Sequence, residues 1–203
     1  MSANTQYEVP TWNQIYDLLL NQSEKIHRDG FQPDIIIGIA RGGLVPARVL
    51  TDLLETHDLA SVRVEFYIDI AKTRKEPILK QSLPAPITGK KALLVDDISD
   101  TGQSLKLAKN HLTEQGAKEI KIATLYANPT TLTKPDYCEK ETNRWVVFPW
   151  DAKETVRKIV DRQLSKRALN KEIAKLVKAG LPKNLSEKFL EDMQQEQNNA
   201  TIP

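Results

Sequence analysis

The sequence predicts an α/β protein: a mostly parallel, five-stranded sheet flanked by helices, with a helical appendage at its C-terminal end. Three observations lead there. The apolar runs Asp34–Ile39 and Ala92–Val95 each pass through a short glycine-bearing turn into an amphipathic helix, the order that builds parallel strands. Further strand patterns stand at 62–70, where Val62, Val64, Phe66 and Ile68 alternate, and at 119–126. From Ala152 onward the pattern is helical only.

In chain order, residues 1–10 read as a loose arm. Thr11 with Gln14 three positions on is a capping box. It starts a helix with Trp12, Ile15, Leu18 and Leu19 on one face, expected to pack against the sheet and to end near Gly30. Pro33 opens the first long strand, which delivers Gly38-Ile39-Ala40-Arg41-Gly42-Gly43-Leu44. A helix follows with Val45, Val49, Leu50, Leu53 and Leu54 as its apolar set. Gly42 and Gly43 give a tight turn with exposed amides before that helix, a geometry suited to an anion. Residues 71–90 lack periodicity and hold Lys72, Arg74, Lys75, Pro77, Lys80, Pro84 and Pro86. An aperiodic stretch of that length is a lid or a disordered loop. The segment 127–143 reads as irregular, and Arg144–Asp151 as a short strand and turn.

The most informative stretch is Leu93 to Leu105. A strand buried on both faces ends in Asp96 and Asp97. The polar turn Asp100-Thr101-Gly102-Gln103-Ser104 follows, and then a helix with Leu105, Leu107, Ala108 and Leu112 on one side, stopped by Gly116. In open α/β sheets ligands bind just past the carboxyl ends of strands. A helix N-terminus offers free N–H groups, Gly102 lets the backbone come close, and Thr101 and Ser104 add hydroxyls, so the turn can seat a phosphate. Asp96 and Asp97 would repel that phosphate, so sugar hydroxyls and a divalent metal are their natural partners. A ribose 5-phosphate combines these features.

The order of strand, two acids, two variable residues and Asp-Thr-Gly-Gln-Ser resembles the PRPP-binding signature of the type I phosphoribosyltransferases. The resemblance spans roughly residues 30–151 and implies that family's fold. By it, Asp96 and Asp97 hold the ribose hydroxyls and Asp100, Thr101, Gly102, Gln103 and Ser104 cradle the 5-phosphate. Ala40, Arg41, Gly42 and Gly43 form the pyrophosphate loop, with the Ala40–Arg41 bond in cis. The family's mobile catalytic loop falls at 71–83, where basic residues would face the departing charge. Trp145 stacks on a purine, the Val146 main chain reads its edge, and Asp151 sits near the metal pyrophosphate. Mg2+ enters with PRPP, bound by Asp96, Asp97 and Asp151 directly or through water. Asp100 is the implied general base or N7 partner, and Arg41 the implied stabiliser of leaving charge.

One position departs from the pattern. The 6-oxopurine members carry a lysine that donates to the base after the strand ending near Tyr126, and the aligned residue here is Asn128. An asparagine can accept as well as donate. The expectation is therefore a purine phosphoribosyltransferase leaning to adenine, with a 6-oxopurine enzyme as the alternative.

Residues 152–203 are expected to form a three-helix appendage outside a 1–151 catalytic domain. The patterns are Val156, Ile159, Val160 and Leu164, then Leu169, Ile173, Leu176 and Val177 stopped by Gly180, then a helix capped by Ser186 with Leu185, Phe189, Leu190 and Met193. The appendage holds 11 Lys/Arg against 7 Asp/Glu, too small an excess to argue for nucleic acid. The whole chain carries +2 at 28% charged residues, and no apolar run nears a membrane span. The N-terminus shows no signal-peptide core, and the lone Cys138 suits a reducing cytosol. His27, His57 and His111 show no metal-site spacing with it. Cytoplasmic location and a homodimer are the expectations. A second class, a PRPP-sensing transcriptional regulator without catalysis, would need a DNA-binding module that the first 30 residues do not offer.

Overall fold

The computed structural model describes residues 5–67, 76–162 and 164–200. They divide into two compact units, Ile15–Asn143 and a second made of Met1–Gln14 with Arg144–Pro203. The expected boundary at 151 falls inside the second unit.

In chain order the elements are β1 (Tyr7–Glu8), α1 (Trp12–Arg28), β2 (Ile35–Ala40), α2 (Leu44–Leu53), β3 (Leu59–Tyr67), β4 (Glu76–Gln81) and β5 (Lys91–Ser99). There follow α3 (Gln103–Glu114), β6 (Glu119–Ala127), β7 (Tyr137–Glu141), β8 (Trp145–Val146), α4 (Ala152–Val160), α5 (Lys166–Ala179) and α6 (Lys183–Ala200).

The larger unit is built on a six-stranded sheet in the order β4-β3-β2-β5-β6-β7. Five of these strands run parallel, and β4 adds an antiparallel edge beside β3. Ile35, Ile37 and Ile39 point to one face, where they pack with Leu94, Ile122 and the buried Leu105, Ala108 and Leu112 of α3. Alternation sends Gly38 to the other face, where the missing side chain admits Gly43 and Ala47 of the α2 segment. Strands covered on both faces are apolar throughout, as Ile35–Ile39 is. Helix α1 buries Ile15, Leu19 and Ile26, and its buried Gln22 amide donates to Thr124 O at 2.8 Å and Tyr137 O at 3.3 Å, on neighbouring strands β6 and β7.

In the main sheet, the differences from the sequence reading concern strands. Residues 76–81 lie in β4, not in an irregular loop, and residues 71–75 of the expected lid fall outside the described residues, as do 68–70 of the expected third strand. Pro77 hid β4, because proline is admitted only where an edge strand lacks a partner for its missing N–H. Within the expected irregular stretch 127–143, Tyr137–Glu141 forms β7, the other sheet edge and largely polar. The fifth parallel strand is therefore β7, and Trp145–Val146 lies outside the main sheet.

In the second unit, β8 pairs in parallel with β1, so part of the expected loose arm is a strand. Tyr7, Val147, Val156, Ile159, Leu176 and Met193 belong to one core there. Trp12 is 57% exposed and lies against Trp150, at 5.7 Å between ring centroids. The capping box stands: Thr11 N–H donates to Gln14 Oε1 at 2.9 Å and Gln14 N–H to Thr11 Oγ1 at 3.2 Å. Gly180 ends α5 at φ 126°. Ser186 does not cap the last helix, since α6 begins at Lys183 and the Ser186 hydroxyl donates to Lys183 O at 2.7 Å. No helix among the described residues is long and apolar enough to cross a membrane.

Candidate active site

The site begins where β5 leaves the core. Ala92 to Val95 are buried, and then Asp96 and Asp97 emerge half-buried at the carboxyl end. The chain turns through Asp100 and Thr101 to Gly102, which sits at φ 77° as the N-cap residue of α3 with no side-chain capping bond. Positive φ favours glycine here, and so does space: a Cβ would lie 2.5 Å from Thr133 N and 2.6 Å from Thr131 Oγ1. Asp96, Asp97, Ile98, Ser99, Asp100, Thr101, Gly102, Ser104 and Leu105 line a cavity of about 250 Å³. Gln103 opens α3 without lining it. A larger hollow of about 560 Å³ lies at the opposite, amino ends of β2 and β3, between Asp34 and Asp58. The carboxyl-end cavity is the better candidate, because there the strand tips and helix N-termini converge.

The turn after β2 comes to the same place. The Ala40–Arg41 bond is cis, Arg41 is exposed, and Gly43 is the N-cap residue of α2. A Cβ on Gly42 would overlap the Asp97 carboxylate, and one on Gly43 would overlap Val95 O. The two glycines thus let one turn lie against the acidic strand tip. The fold brings together the two motifs, far apart in sequence, that the sequence analysis singled out.

Burial and the neighbouring Asp97 charge push the Asp96 carboxyl well above the usual carboxylate range. Backbone N–H groups of Asp97, at 3.0 Å, and Gly43 oppose that shift. The adjacent carboxylates suit Mg2+ arriving on a substrate's phosphates, which needs only one or two from the protein. No group of three metal-ligating side chains exists among the described residues.

A second loop, after β6, braces the turn. Asn128 N–H donates to Ser99 O at 2.8 Å and Leu132 N–H to Thr101 O at 3.1 Å. The Ser99 and Thr131 hydroxyls lie 2.7 Å apart and share one hydrogen bond, and both reach Thr133 O, at 2.9 Å and 3.4 Å. Ser99, Thr131 and Thr133 were not singled out from the sequence. The one available signal was a hydroxyl at the buried end of an apolar strand. Asn128 Nδ2 donates to Asp100 Oδ1 at 3.2 Å.

Trp145, Val146 and Asp151 belong to the second unit. Trp145 is 38% exposed, with the Lys158 ammonium 5.9 Å from its ring centre. Trp145 and Val147 donate their amides to Gln6 O and Glu8 O. The peptide groups of Val146, between them, are therefore directed to the opposite edge of the β1–β8 ribbon. Asp151 is the N-cap residue of α4. Trp150 stacks on Phe148 at 4.9 Å and 7°.

A model of the phosphoribosyl transferase domain matches residues 8–156. The xanthine-guanine phosphoribosyltransferase of Nitratidesulfovibrio vulgaris strain Hildenborough is 34% identical over 119 residues, 58% of this chain and 68% of that protein. The Gluconobacter oxydans protein of the same name is 31% identical over 160 residues, 74% and 91% of the two chains. Among solved structures, the purine phosphoribosyltransferase of Pyrococcus horikoshii Ot3 superposes with a TM-score of 0.66 at 37% identity, covering 72% of this chain and 94% of its own. The chain belongs to the type I phosphoribosyltransferase family, in its purine branch, and is an enzyme of that kind.

Proposed function

We propose that the protein transfers the phosphoribosyl group of PRPP to a 6-oxopurine (guanine, xanthine or hypoxanthine), releasing pyrophosphate and the nucleoside 5′-monophosphate in cytoplasmic purine salvage. The observation that carries this reading is the orientation of Asn128. Its Oδ1 accepts from Thr130 N–H at 3.0 Å and from the Thr130 hydroxyl at 2.8 Å. A backbone N–H can only donate, so Oδ1 must face it and the NH2 edge is what the side chain presents elsewhere. The adenine lean rested on Asn128 accepting from an exocyclic amino group, and that acceptor is already engaged. A donor edge suits a carbonyl O6. The names of the relatives agree, being xanthine-guanine enzymes in Nitratidesulfovibrio vulgaris and Gluconobacter oxydans. The 6-oxopurine alternative therefore replaces adenine.

In this reading Asp96 and Asp97 take the ribose hydroxyls, and the Asp100–Ser104 turn takes the 5-phosphate on the amides of the α3 N-terminus. Ala40 to Gly43 face the pyrophosphate, with Arg41 countering its charge. Mg2+, held at Asp96 and Asp97 through PRPP, supplies neutralisation of the leaving group. The base N9 attacks C1 of the ribose as the C1–pyrophosphate bond breaks, and positive charge develops on the sugar. Fixed charges and amides around that centre supply most of the acceleration. Asp100 accepts the proton that the base gives up, or holds N7. Trp145 offers the base an aromatic face, and the outward Val146 peptide groups read its edge. The homodimer is part of the same proposal, and light scattering of the eluted protein reads it.

The test is pyrophosphate release with PRPP, Mg2+ and each base separately. Turnover with guanine, xanthine or hypoxanthine and not with adenine is expected. Turnover with adenine alone overturns the 6-oxopurine reading. Binding of PRPP without turnover of any base overturns the enzymatic one in favour of a regulator.

A further inference from the structure

Asp100 stands on an exposed loop tip, where a carboxylate ordinarily samples several rotamers. In this chain it has a fixed neighbour. Asn128 is anchored through its main chain, by N–H to Ser99 O at 2.8 Å and by its own O to Thr131 N at 2.9 Å. Its side-chain oxygen is held by Thr130 twice, and its Nδ2 then meets Asp100 Oδ1 at 3.2 Å. The amide oxygen and one N–H are both engaged, so that N–H is aimed at one oxygen of one carboxylate.

We propose that Asn128 is a positioning residue for Asp100: it holds Oδ1 and so orients the carboxylate toward the purine. The proposal rests on the phosphoribosyltransferase reading above and deepens it. Where the family pattern has a lysine that reads the base, this chain has a residue that sets the geometry of the acid. The second N–H of the same amide still serves as a donor to the base. Misplacing a catalytic group by about 1 Å can cost on the order of 100-fold in rate, so a contact of modest stability can matter greatly to turnover.

The test is a double-mutant cycle between Asn128→Asp and Asp100→Asn, with kcat and the KM for PRPP measured for each. Asp at 128 is nearly isosteric and still accepts from Thr130, so the loop is retained, while a carboxylate now faces Asp100. The expected result is a fall in kcat of about 10- to 100-fold with an unchanged PRPP KM. On the Asp100→Asn background, Asn128→Asp should add no further loss. Asn128→Ser, which keeps an acceptor for Thr130 but cannot reach Asp100, should show the same split. Wild-type kcat in Asn128→Asp overturns the proposal. So does a loss that multiplies with that of Asp100→Asn, and so does a joint fall in melting temperature and PRPP affinity in both Asn128 variants, which would mark a structural role. The cycle is run with whichever purine the wild type uses. Adenine turnover would thus sink the 6-oxopurine reading without touching this one.

Discussion

The Tyr7 hydroxyl donates to Oε2 of Glu172 at 3.2 Å, joining β1 to α5 across 165 positions of sequence. Lys175 donates to the other oxygen, Oε1, at 2.7 Å. Burial and the facing carboxylate push the Tyr7 phenol up to about 12. Burial works against the charge on Glu172, but the bonds from Lys175 and Tyr7 hold its carboxyl below the usual range. Tyr7→Phe leaves the ring packed and removes one donor from a buried carboxylate. It should lower stability by about 1–2 kcal/mol, a fall of several degrees in melting temperature. The pH signs differ for the two groups. The Glu172 contribution is present above its ordinary value of 4.5 and is lost as pH falls. The Tyr7 contribution is present below 10.0 and is lost as pH rises toward about 12. Melting curves of wild type and Tyr7→Phe should therefore converge at both extremes. A constant gap across the range would refute the coupling.

Asp96 should trade stability against binding. Burial and the Asp97 charge raise the pKa of its carboxyl, so the folded state binds a proton more readily than the unfolded chain does. The stabilising contribution is full below the ordinary value of 3.8 and is lost as pH rises through the folded value. Asp96→Asn removes the buried charge while keeping an acceptor for the Asp97 N–H. At neutral pH it should melt about 2–4 °C higher than wild type. The same variant should lose most of the thermal stabilisation that PRPP gives the wild type. A melting point below wild type at neutral pH would contradict the assignment.

Gly102 is the position where a single methyl group should damage the phosphate seat. Its φ of 77° disfavours any side chain by about 1–2 kcal/mol, and the added Cβ would press on Thr133 N and Thr131 Oγ1. Gly102→Ala should push the braced loops apart and weaken PRPP binding by about tenfold or more. Isothermal titration with PRPP and Mg2+ measures this directly. Affinity within error of wild type would show that the turn does not hold the phosphate.

Asp100→Asn keeps the shape of the loop tip and removes the proton acceptor. Turnover should fall by about 10²- to 10⁴-fold with little change in PRPP affinity. Steady-state kinetics with the preferred base decide it, and an unchanged kcat would reduce Asp100 to a loop residue.

The division between what was legible in the sequence and what was not follows the range of the interactions involved. Asp96 through Ser104 could be read directly, because strand, turn, glycine and helix start are consecutive and each has a local cause. So could Gly42 and Gly43, the three C-terminal helices, the apolar face of α3, and Ile15 and Leu19 on that of α1. The strands that escaped notice are all marginal by sequence. β1 has two residues, β4 contains Pro77, and β7 is a polar sheet edge. Such strands exist because a partner strand offers hydrogen bonds: β3 for β4, β6 for β7 and, far off in sequence, β8 for β1. Trp12 carried the apolar period of its helix, yet only packing could decide that it stays exposed beside Trp150. Asn128 shows the limit most clearly. Its chemistry, one donor group and one acceptor, was known from its name. Thr130, two positions on, takes the acceptor through a local turn, but only the tertiary structure brought Asp100 to the donor, because it sets Asp100 Oδ1 3.2 Å from Nδ2 across 28 positions.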